Sequence, residues 1–183
     1  MPLNPLHPVT RRRDAANAAK LYGAIVAQAR LPVFYQSLEV PDTLQGRFLI
    51  LSLHLFALLH RLKKEGAHAR SLAQELSDCF SRDMETVLRE MGVGDLNIPK
   101  KMRDLAASSR ALFEAYEEAL SSGEEAIASA IAGGVPLEGR LPEDARTRLA
   151  RYVLGMVRTL QAQPLAALCA GEPRFPDFGR GKP

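Results

Sequence analysis

The 183-residue chain is most informative in what it lacks. It has two cysteines, Cys79 and Cys169. Two isolated thiols make no disulfide framework and no CxxC metal site, so a reducing compartment is expected. No HExxH, P-loop, GxGxxG or G-x-S-x-G is present, and none of His7, His54, His60 and His68 has a second ligand at i+4. No catalytic constellation, metal site or cofactor site is therefore read. A nucleic-acid-binding surface would carry a basic stripe with interleaved aromatics, and there is none. The start, MPLNPLHPVTRRRD, is basic but has no apolar segment behind it, which argues against a secretory signal. Its prolines and shortness argue against a transit peptide.

What is present is helical. Hydrophobic residues make up 46% and charged residues 25%, a balance that supports a folded core rather than disorder. Alanine, leucine, glutamate and arginine dominate, and strand punctuation is scarce. The expected fold is all-α: a single bundle of about six to seven helices around a central apolar helix at about 43–65. Residues 1–13 read as a flexible basic arm, 14–170 as one helical domain, and 171–183 as a mobile tail. The net charge is +3, with Arg11, Arg12 and Arg13 supplying a basic cluster that could touch an anionic membrane or an acidic partner.

The first helix is expected over 14–30, with Asp14 as its cap. VFYQSLEVPD then reads as an irregular connection. The central helix, opened by Asp42 or Thr43 and ended by Gly66, contains FLILSLHLFALL (48–59). A helix apolar nearly all round lies in a core or in a membrane. A span needs about 20 apolar residues. This run is shorter, holds Ser52 and His54, and is bracketed by Arg47 and Arg61, so a core helix with a hydrogen-bonded His54 is expected.

The third helix, about 69–91, carries Leu72, Leu76, Cys79, Phe80, Val87 and Met91 as one stripe. Asp83 falls inside that stripe. A carboxylate on a core face needs a Lys, Arg, Tyr or backbone partner. The fourth helix runs over about 98–121, with Asn97 as cap and Pro99 in the first turn. A short helix at 124–132 is stopped by Gly133 and Gly134. A longer one follows at about 142–161, and a last turn is formed by PLAALCAG.

Between the third and fourth helices lies LREMGVGDLNIPKKM. It places Lys100, Lys101 and Arg103 in the first turns of a helix, where the backbone dipole disfavours positive charge. Two readings stand. The corner is a surface read by a partner, through Arg89, Glu90, Gly92, Val93, Gly94, Asp95, Lys100 and Lys101. Alternatively, the glycines and Asp95 only make the turn, and the lysines answer Asp83, Glu90 or Asp95.

Three stretches together resemble the ubiquinol–cytochrome c chaperone family: PVFYQSLEVPDTLQGRFLILSLHLFALLHRLKKEG (32–66), LAQELSDCFSRDMETVLREMGVGDLNIPKKMRDLA (72–106) and AYEEAL (115–120). The most specific part joins Phe80, Asp83 and Met84 to Leu88, Arg89, Glu90, Gly92, Val93, Gly94, Asp95 and Lys100 in one register. The chain departs from the family where Ser109, Arg110, Ala111 and Leu112 stand ahead of Tyr116. The resemblance implies a non-enzymatic chaperone that binds newly made cytochrome b and assists assembly of ubiquinol–cytochrome c reductase, respiratory complex III. It also implies a small co-chaperone in mitochondrial relatives, and a location in the cytoplasm or at the cytoplasmic face of the inner membrane, as in a bacterial member. The competing expectations are a generic helical adaptor, and a cryptic enzyme or haem-handling protein using His54 or His60.

Overall fold

FLILSLHLFALL takes the centre of the molecule. In the computed structural model, which describes residues 8–135, 137 and 141–177, it forms the middle of a helix whose positions 49 to 58 are all buried. In chain order the described residues form α1 (Pro8–Ala29), α2 (Pro32–Gln36), α3 (Leu44–Lys63), α4 (Ala67–Glu90), α5 (Ile98–Ser122), α6 (Glu124–Gly134), α7 (Glu143–Ala162) and α8 (Leu165–Cys169), with no strand among them. α3 packs against α1, α4, α5 and α7, so each of its sides meets another helix. That is why its sequence has no polar face. Each fully buried leucine contributes about 1.5–3 kcal/mol, so this helix is a principal source of stability.

The start of α3 settles the choice of cap. Thr43 accepts from the Gly46 N–H at 3.3 Å, while Asp42 receives the Arg47 guanidinium at 2.7 Å. Gly46 is required by close approach: a Cβ there would lie 1.9 Å from the Pro41 carbonyl oxygen. The last turn of α3 holds His60, Arg61 and Lys63, as the dipole favours.

Several boundaries differ from the sequence expectations. α1 begins at Pro8 rather than at Asp14, so the reading of Asp14 as its cap is corrected; residues 1–7 of the expected arm lie outside the described residues. Asp14 is an interior residue of α1, 1% exposed, accepting from the Ser71 hydroxyl at 2.9 Å. The anchor across to α4 outweighs the capping preference. The connection after Ala29 is partly helical, because Pro32 presets the first turn of α2 and Phe34 seats in the core. Gly133 and Gly134 do not interrupt α6. Gly134 faces Leu112 so closely that a Cβ would sit 2.3 Å from its Cδ1, so this glycine lets α5 and α6 meet. Asn97 has helical backbone angles and makes no side-chain cap.

Past α8 the chain runs on against the bundle. The Gln163 side chain donates to the Arg174 carbonyl and accepts from the Arg174 N–H, both at 2.8 Å. Phe175 then lies edge-on to His54 at 5.3 Å. This strap lies across the core; residues 178–183 fall outside the described residues.

Candidate partner-binding surface

The corner between α4 and α5 is a Schellman stop followed by a restart. The Gly92 N–H reaches the Arg89 carbonyl at 2.9 Å and the Val93 N–H reaches the Leu88 carbonyl at 3.1 Å. Gly92 has φ +81°, the left-handed conformation that this stop demands. Gly94 has no such φ and nothing within 4 Å of a Cβ placed on it. The Asn97 N–H then bonds the Gly94 carbonyl at 2.8 Å, and Ile98 buries to start α5.

Charge at this corner divides into paired and unpaired groups. Arg89 bonds Glu85 at 2.8 Å and also bonds Asp95, tying the turn back to α4. These two carboxylates, Glu85 first, raise the Arg89 pKa. Among the described residues no carboxylate pairs with Lys100 or Lys101. Asp83 is satisfied elsewhere: it accepts from the Tyr22 hydroxyl at 2.6 Å. Burial, then this bond to Asp83, pushes the Tyr22 phenol well above its ordinary range. Asp83 is half-buried rather than buried, a correction to the expectation, because it sits at the edge of the α1–α4 seam. The lysines therefore do not answer Asp83 or Asp95.

The lysines, Gly92, Val93, Gly94, Asn97 and Asp104 line a concavity of about 490 Å³. Beside it stand two apolar residues that the sequence reading left out of the site. Leu96 is 96% exposed and Met91 is 60% exposed. The apolar spacing of 69–91 predicts Met91 in the core stripe, but it caps α4 and is exposed. Leu96 carried a signal in the sequence, an apolar residue set between Asp95 and Asn97 in a turn. The corner thus combines two exposed apolar anchors, two unpaired cations and exposed Glu90 on a turn held by its own hydrogen bonds.

The histidines are differently placed. His54 is 0% exposed. Its Nδ1 bonds the Ile50 carbonyl at 2.7 Å, so Nδ1 carries the proton, and Nε2 accepts from the Tyr152 hydroxyl at 2.9 Å. Gln28 donates in turn to Tyr152 at 3.1 Å. Desolvation pulls the His54 pKa down to about 4 and pushes the Tyr152 phenol up to about 12. His60 Nδ1 donates to Glu117 at 2.8 Å, and Lys64 donates to Nε2 at 3.1 Å. All four ring nitrogens are thus engaged by protein groups. Among the described residues no three His, Cys, Asp or Glu side chains gather into a metal-binding group. Nor is any described helix long and apolar enough to cross a membrane.

Comparison with known proteins adds a family. The profile described as "Ubiquinol-cytochrome C chaperone" matches residues 36–175. The ubiquinol-cytochrome-c reductase complex assembly factor 1 of Xenopus laevis is 25% identical over 114 residues, 62% of this chain and 57% of the frog protein. The mouse protein of that name is 27% identical over 114 residues, 62% of this chain and 39% of its own length. The chain thus spans from about two-fifths to somewhat over half of these relatives. The crystal structure of the Cbp3 homolog from Brucella abortus superposes with a TM-score of 0.81 at 37% identity, covering 91% of this chain and 92% of that one.

Proposed function

Because the chain belongs to the ubiquinol–cytochrome c chaperone family, we propose that it is a non-enzymatic assembly chaperone for ubiquinol–cytochrome c reductase. Its client is newly made cytochrome b, docked at the α4–α5 corner where the membrane meets the cytoplasm. The family match over 36–175 supports the role, and the corner's make-up supports the place. Exposed apolar anchors with unpaired charges beside them are the composition of a surface that binds through a few dominant residues. Here Leu96 and Met91 are the anchors, Lys100 and Lys101 steer acidic client loops, and the Arg89 pairs hold the turn in shape.

Deleting the gene is expected to remove assembled complex III from solubilised membranes, seen as loss of the cytochrome bc band on native gels. In a pull-down from wild-type membranes, cytochrome b should be enriched. Recovery of soluble proteins alone would favour an adaptor unrelated to respiration. Reversing both lysines, Lys100→Glu with Lys101→Glu, is expected to leave the fold intact and abolish most cytochrome b recovery. Normal recovery with a folded double variant would remove the corner from the binding surface.

A further inference from the structure

A second concavity, about 740 Å³, runs between α4 and α5 over α3 and is separate from the corner. Its floor is aromatic and aliphatic. Phe56 and Phe80 are 2% and 7% exposed, and the Phe113 ring lies tilted at 6.0 Å from Phe56. Along α4 the lining extends from Arg70 to Ser81, about 17 Å at 1.5 Å per residue. That is the length of about three helical turns.

The two sides of the groove differ in charge. The α3 and α4 side presents Lys63 and Arg70 and no carboxylate; the α5 side presents Glu114, Glu117 and Glu118 against one cation, Arg110. Arg110 is spent on Glu114 at 3.2 Å, and Glu117 holds His60. Glu118 has no side-chain partner among the described residues. A further sign is independent of charge. Ser109 also lines the groove and is 8% exposed, yet its buried hydroxyl has no hydrogen-bond partner among the described residues. Buried hydroxyls without partners are uncommon, and this one lies in the wall of the groove.

From these features we infer that the groove seats an amphipathic helix of the client, about three turns long, with its apolar face on Phe56, Phe80 and Phe113, one flank basic against the α5 carboxylates and the other acidic against Lys63 and Arg70. The inference rests on the chaperone reading and names the element recognised. A basic flank suits a client from the inner membrane, whose segments next to the spans on the cytoplasmic side are rich in Lys and Arg.

The test uses the full chain and synthetic 14-residue amphipathic helices. The protein has no tryptophan, so a tryptophan on the peptide's apolar face reports its own burial. Three peptides share that face and carry one Lys and one Glu flank, two Lys flanks, or two Glu flanks. The mixed peptide is expected to blue-shift on binding and to bind at least about tenfold tighter than the others at low salt. Ala106→Phe, which fills the exposed end of the groove, should abolish the shift. Glu118→Lys, on the surface, should weaken the mixed peptide and strengthen the one with two Glu flanks; it keeps the test decisive even where Ala106→Phe fails to fold. No blue shift with any peptide, equal binding of all three, or a wild-type dimer in sedimentation that Ala106→Phe dissociates would each overturn the inference. In the deletion strain, full rescue of complex III by both variants would sink the groove and leave the chaperone role standing. Normal complex III in the deletion strain would sink the role itself, whatever the peptides do.

Discussion

At the scale of single residues, Asp14, Asn17, His54 and His60 inside the bundle are each paired across helices, and this gives them structural roles. His54 is the clearest case. Its folded pKa, about 4, lies below the ordinary 6.5. The unfolded chain therefore takes up this proton first as pH falls. The stabilisation is fully present above about 6.5 and is lost progressively as pH drops towards 4, on the order of 3 kcal/mol in total. Urea midpoints measured between pH 7 and 4 should fall accordingly, and His54→Gln should flatten that part of the profile. A signal assigned to His54 that titrates near 6.5 in the native protein would contradict the buried, neutral imidazole. Residue spacing alone places His54 and Asp83 as polar groups on apolar faces. Their partners, Tyr152 and Tyr22, come from sequence separations of 98 and 61 residues, and periodicity along one helix has no access to them.

At the scale of elements, glycine roles separate turn from surface. Gly92→Ala should cost about 1–2 kcal/mol, since its φ is +81° and an L side chain is strained there. Gly94→Ala should leave thermal stability nearly unchanged, because the site is open and its φ is ordinary. Gly94→Ala is thus a clean probe of client binding at the corner. Gly46→Ala should destabilise by about 1–3 kcal/mol through its clash with the Pro41 carbonyl. Differential calorimetry on the three variants checks the order; a Gly46→Ala protein as stable as Gly94→Ala would refute the packing argument. Helix cores were legible in the chain because apolar spacing repeats every turn. Helix starts were less so. Asn97 looked like a cap but is not one, and Asp14 looked like a cap but is held inside α1 by Ser71. For Asp14 a contact from α4 competes with local preference and wins; Asn97 is held with helical angles by the turn itself, its N–H on the Gly94 carbonyl.

At the scale of the whole molecule, α3 is the axis and the C-terminal strap closes one side of it. A chain stopped at Gly171 loses Phe175 from the ring of His54 and the paired Gln163–Arg174 bonds. It should be less stable by about 1–3 kcal/mol, the scale of one partly buried aromatic. Water would then approach His54, so its pKa should rise from about 4 towards 6.5, readable by NMR titration. An unchanged His54 titration in the shortened chain would show that the strap does not shield it.

The amino-acid sequence by itself determined that this protein is a helical bundle, that its apolar run is the central helix, and which family its α4–α5 register belongs to. These follow from periodicity, turn chemistry and local motif, all of which act over a few residues. Only the tertiary structure decided that Asp83 goes to Tyr22 while Lys100 and Lys101 stay unpaired, that Leu96 and Met91 stand in solvent, and that α4 and α5 part over an aromatic floor. Those outcomes depend on which side chains distant segments bring together. Pairing and exposure are properties of the packed molecule, set by competition among all its surfaces at once.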